Sequence, residues 1–103
     1  MNIKILKEYM EYLKSGKPTE GKLRIDPGYC QLWALEEIDK LNDEYKVHEL
    51  APAHKGFGSS GGGEMLAFNS KGQVAIIPFI GMSDEDAVII SESWIDFEKA
   101  III

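Results

Sequence analysis

A chain of 103 residues, 45% of them apolar, is long enough for one domain that buries about two thirds of its unfolded surface, and too apolar for a disordered segment. Seventeen acidic against eleven basic side chains leave a net charge of −6, which argues against nucleic-acid binding, because phosphate backbones call for a basic footprint. The single cysteine, Cys30, has no intrachain disulfide partner; no basic-then-apolar leader opens the chain and no apolar run approaches a membrane span, so the expected compartment is the cytoplasm.

In chain order, residues 2–14 predict an amphipathic helix. Ile3, Leu6, Met10 and Leu13 make one apolar stripe and Ile5, Tyr9 and Tyr12 an adjoining one, while Lys4, Lys7, Glu8, Glu11 and Lys14 take the other half of the wheel. Gly16 and Pro18 end it. Residues 19–27 form a polar connection with a short strand expected at 23–25, closed by a turn at Asp26-Pro27-Gly28. Residues 29–33 read as a strand that is aromatic at both ends, and Cys30 within it as a buried small hydrophobe rather than a nucleophile.

The next helix is expected over 35–45, with Leu35, Ile38, Leu41 and Tyr45 as its apolar stripe and Glu36, Glu37, Asp39, Asp43 and Glu44 in solvent. Residues 47–52 return toward a strand, and 54–58 carry it into a glycine-rich turn. Residues 64–68 and 73–79 then predict a hairpin around Asn69-Ser70-Lys71-Gly72, with Pro78 at a strand end or on an edge because it cannot donate to a ladder. Residues 81–86 are an acidic loop or a single helical turn, and 87–90 a short buried strand or an extended entry to the last helix. That helix starts near Ser93, with Asp96 three residues on as in a capping box, and buries Trp94, Phe97 and Ile101.

Half of the ten glycines fall between Gly56 and Glu64. Such density points to an unusual backbone path between two apolar segments. Gly56-x-Gly58-x-x-Gly61 spells a dinucleotide-binding fingerprint, but that site needs a helix N-terminus after the turn, and Glu-Met-Leu-Ala-Phe-Asn follows instead. Gly58-x-Ser60-x-Gly62 spells a nucleophile elbow, but both histidines, His48 and His54, lie upstream and again no helix follows. A phosphate-binding P-loop fails for want of a Lys-Ser or Lys-Thr pair. The stretch reads as strand–turn–strand, with Gly58, Gly61, Gly62, Gly63 and Glu64 as a structural turn. No cofactor is called for. His48 and His54, six residues apart with no cysteine beside them, lack metal-ligand spacing and read as structural or surface residues. An enzyme would need one of them beside a carboxylate or serine in a cleft.

The whole pattern resembles a small SMI1/KNR4 (SUKH) domain. The resemblance covers about residues 13–102. Its first residues are Gly28-Tyr29-x-x-Leu32-Trp33-x-Leu35-Glu36-Glu37-Ile38, Leu41-Asn42-x-x-Tyr45 and Pro52. Phe57-Gly58-Ser59-x-Gly61-Gly62-Gly63-Glu64-x-x-Ala67-Phe68 is its most specific part, followed by Val74-x-x-x-Pro78-Phe79 and Ser91-x-Ser93-Trp94-x-x-Phe97. The Leu-Pro segment that family members carry before the first helix has no counterpart, so the expectation is a single domain over 1–103, compact or N-terminally shortened.

The resemblance implies an α+β fold, a twisted and mostly antiparallel sheet with N-terminal and C-terminal helices packed on it. For bacterial members it implies an immunity protein of a polymorphic toxin system, which binds a cognate toxin, often a nuclease, and is not an enzyme. The partner is then a basic protein, met by Asp84, Glu85, Asp86 and Glu92 and by the acidic face of the second helix. The alternative is a ligand- or peptide-binding regulatory module, which a pocket lined by Tyr29, Trp33 and Phe57 would favour. A homodimer is a further option, through an unpaired strand near Pro78 or the tail Ile101-Ile102-Ile103.

Overall fold

Strand β4 (Glu64–Asn69) explains the architecture, because both of its faces are buried. Leu66 and Phe68 point to one side and Met65 and Ala67 to the other, and none of the four is exposed. A sheet covered on both faces produces the near-continuous apolar runs seen here and in β5 (Val74–Pro78) rather than strict alternation. The computed structural model describes residues 7–102. Within them six strands form one antiparallel sheet in sequence order: β1 (Glu20–Lys22), β2 (Tyr29–Leu32), β3 (His54–Ser59), β4, β5 and β6 (Val88–Ser91). Four helices cover it: α1 (Lys7–Lys14), α2 (Leu35–Glu44), α3 (Val47–Leu50) and α4 (Trp94–Ala100). The fold is α+β.

On one face α1 and α4 pack over Leu32, Leu66, Phe68 and Val74. Tyr9, Phe57, Phe68, Trp94 and Phe97 form its centre; Phe57 stacks on Phe68 at 4.1 Å and Trp94 meets Tyr9 edge-on at 4.9 Å. The Tyr9 hydroxyl, wholly buried, donates to the carbonyls of Trp33 at 2.7 Å and Phe57 at 3.2 Å, so the ring enters the core without stranding its polar end. On the other face Val47 and Ala51 pack against Met65, Ala67 and Ile77.

Several elements differ from the sequence expectation. The first helix is seen as Lys7–Lys14, with Tyr9 and Tyr12 buried; the predicted residues 2–6 lie outside the described residues, as does Ile103. The strand expected at 23–25 sits three residues earlier, and Leu23 instead bridges to Ile101. Residues 47–50 are helical, not extended. Lys46 turns the chain with φ of 58°, after which burying Val47 and Ala51, four apart, on the same face requires a helical turn. In α2 the buried pair is Ile38 and Asn42, while Leu35 and Tyr45 stay exposed, because Asn42 is drawn to β3. Strand β6 forms where a strand was expected but is not buried: Val88 is 56% and Ile89 50% exposed, since the sheet ends there.

The two sheet edges are treated differently. Beyond α4 the chain runs back along β1, with Arg24 N donating to Ala100 O at 2.8 Å and Ile102 N to Lys22 O at 2.9 Å. That meets the β1 edge at Lys22 within one molecule and occupies Ile101 and Ile102 of the apolar tail. Pro78 ends β5, opposite Glu64, between two strands rather than on an open edge. Among the described residues β6 has no partner on its outer side, whereas β1 is met there at Lys22.

Candidate functional site

The glycine stretch is a β-hairpin joining β3 to β4. Gly58 is dictated by the neighbouring strand: a Cβ there would sit 2.7 Å from the Gln31 carbonyl oxygen, and backbone cannot move aside cheaply. Gly61, at φ of 78°, occupies the left-handed region that glycine tolerates best. The turn satisfies its own amides. Ser59 Oγ accepts from Gly61 N at 2.9 Å, and Ser60 Oγ from Gly62 N at 3.0 Å and Glu64 N at 3.3 Å. Those N–H groups are therefore spent internally rather than aimed at a phosphate, and a strand follows them. Gly63 closes the loop by accepting from Phe79 N at 3.0 Å.

At Gly56 and Gly58 the β3–β4 register shifts, and β2 has left the sheet on the other side. Asn42 of α2 fills that gap. Its Oδ1 accepts from Gly56 N and its Nδ2 donates to Gly56 O, both at 2.9 Å, as a neighbouring strand would. This contact seats α2, and with it the outward row Glu36, Glu37, Asp43 and Glu44. Of these, only Glu44 has an ion partner among the described residues, Lys40 at 3.9 Å.

The acidic turn is the second built feature. Residues Asp84–Asp86 form a single 3₁₀ turn. Asp84 is not free: both its oxygens accept from Ala53 N at 3.2 Å, and Oδ1 lies 2.7 Å from His54 Nδ1. The His54 side chain is only 9% exposed. A carboxylate at hydrogen-bond distance from Nδ1 orients the ring. Nε2 has no hydrogen-bond partner among the described residues. His54 lines a cavity of about 290 Å³ together with Asp39, Asn42, Asp43, Val47, His48, Pro52 and Lys55.

A histidine oriented by a carboxylate is the geometry of a general base. The lining supplies no hydroxyl or thiol for it to activate. Among the described residues no three His, Cys, Asp or Glu side chains converge on a metal position. Lys55 Nζ donates to Asp39 at 2.9 Å and holds that carboxyl below its usual range, so this part of the rim is already neutralised. Burial pushes the Cys30 thiol up, which keeps it protonated and unreactive inside the core.

The predicted partner-binding residues fall into two groups. Glu85 and Asp86 are exposed on the turn that Asp84 anchors, on the side of the sheet that carries α3. Glu92 lies at the other end of β6, exposed, with its Oε2 accepting from Gln73 Nε2 at 2.6 Å. The structure thus sets Asp84, Glu85 and Asp86 together and Glu92 apart from them, with β6 between. Tyr29, Trp33 and Phe57 do not line one pocket: Phe57 is in the core, Tyr29 hydrogen-bonds Glu20, and Trp33 stacks on Tyr45 at 6.1 Å. Sequence reasoning missed the His54–Asp84 pair, whose members are thirty positions apart, and the Asn42–Gly56 dock, whose members are fourteen apart. No local signal announces either. No helix among the described residues is long and apolar enough to cross a membrane. No protein-family model matches the chain, and no curated protein matches it.

Proposed function

We propose that the protein is a non-catalytic binding module that neutralises a basic toxin protein, a nuclease being the partner its charge best complements, by one-to-one occlusion in the cytoplasm of the producing cell. The observation that carries this reading is the anchored acidic turn. Asp84 is locked to His54 and Ala53, so Glu85 and Asp86 project from a fixed support without an ion partner among the described residues. The α2 carboxylates without an ion partner among the described residues and a net charge of −6 add to the attraction for a cationic cleft and speed encounter with it. The α+β fold with an antiparallel sheet is of the class that the SMI1/KNR4 resemblance implies.

The test is co-purification and calorimetric titration with a basic protein from a neighbouring reading frame. One-to-one binding that weakens at least tenfold between 50 and 500 mM salt supports the reading. Absence of any complex with that protein, at either salt concentration, counts against it. A second reading, a sensor of a small polar ligand, rests on the 290 Å³ cavity beside His54. It predicts that a bound small molecule survives purification and is released by His54→Ala.

A further inference from the structure

We propose, resting on that reading, that the partner is gripped by edge-strand addition at β6: an extended segment of the toxin, apolar in its middle and flanked by lysine or arginine, pairs with Val88–Ser91. Strand β6 pairs only with β5, through Val74–Ser91, Ala75–Ile89 and Ile76–Val88. No backbone or side-chain hydrogen bond among the described residues reaches its other side. The contrast with β1, which the C-terminal segment meets at Lys22, makes β6 the more open template among the described residues. Val88 and Ile89 are half exposed on consecutive positions, hence on both faces of the strand. Alongside runs a groove of about 360 Å³ whose apolar wall is Ile25, Ile89 and Ile90 and whose rim includes Glu92 and Asp96.

Charge selects the occupant. Glu85 and Asp86 stand at the start of β6, and Glu92 and Asp96 at its end, none in an ion pair among the described residues. Arg24, next to the groove residue Ile25, is turned to the end of α4, where it donates to Lys99 O at 3.2 Å. A second copy pairing through β6 would set carboxylates against carboxylates in either strand direction, which penalises self-association. A strand of about five residues with cations at both ends meets attraction at both ends instead.

The probe is a nine-residue peptide of alternating valine and threonine with two lysines at each end, compared with the same peptide carrying glutamates there. Binding is followed by NMR-detected amide exchange on the full chain. The lysine peptide should slow exchange of outward-facing β6 amides, bind at least tenfold more tightly than the glutamate peptide, and lose at least tenfold on Glu85→Lys with Glu92→Lys. Any of four results overturns the proposal: no binding of the lysine peptide, binding that leaves the β6 amides unprotected, equal affinity for both peptides, or protection of β6 by self-association without peptide. The toxin reading fails separately. Peptide seated on β6 with no toxin captured removes the toxin alone, whereas toxin captured with β6 unprotected removes the edge proposal alone.

Discussion

Asn42 shows how much one side chain can settle. It supplies a donor and an acceptor to Gly56 at the point where β2 has departed, and it is 4% exposed. Asn42→Ala leaves a buried N–H and C=O without partners, so a loss of about 2–4 kcal/mol is expected in urea unfolding. Gly58→Ala drives a Cβ into the Gln31 carbonyl oxygen and should cost about 2–3 kcal/mol. Asp84 separates support from contact. Asp84→Ala, which strands Ala53 N–H and His54 Nδ1–H, should lower stability by about 1–3 kcal/mol. Glu85→Ala, exposed and without an ion partner, should stay within about 0.5 kcal/mol while weakening partner binding. A Glu85→Ala variant as destabilised as Asp84→Ala would contradict that division.

Elements explain what was legible in the sequence and what was not. The glycine hairpin, the Asn69–Gly72 loop and the final helix were readable because their determinants are local. Ser93 Oγ accepts from Asp96 N at 3.1 Å, as its spacing announced. Helix α3 was misread although His-Glu-Leu-Ala suits a helix, because only contact with Met65 and Ile77 across the sheet decides its shape. Burial of β6 was misjudged because strand order, which puts it at the edge, is not written in its four apolar-rich residues. Helix α1 carries a prediction of its own. Burial raises the Tyr9 hydroxyl far above its ordinary value near 10, and burial raises Tyr12 as well. Their stabilising contribution is complete below about pH 10 and lost as pH rises past it, because the unfolded chain ionises first. Unfolding free energy should therefore fall steeply above about pH 10, and Tyr9→Phe should flatten that fall. An unchanged slope in Tyr9→Phe would place the alkaline sensitivity elsewhere.

For the whole molecule, the residues that carry the SMI1/KNR4 resemblance mostly build rather than bind. Leu32, Ile38, Phe57, Ala67, Phe68, Val74, Trp94 and Phe97 are core, and Gly58 and Gly61 shape the hairpin. The surface left over carries both signs with acidic residues in excess, and its carboxylates include those on α2, on the 3₁₀ turn and at both ends of the open edge strand. That partition suits a binder whose scaffold stays constant while its exposed side chains match one partner. On the proposed reading, occlusion is stoichiometric and depends on charge, whereas an enzyme acting on the toxin would turn over. Titrating a basic nuclease captured by this chain with increasing amounts of the chain tests this proposal most directly. The expectation is a linear loss of activity that reaches zero at one equivalent, shifted at least tenfold in affinity by Glu85→Lys with Asp86→Lys. Complete inactivation by a small fraction of an equivalent, or full activity at a large excess, would contradict it.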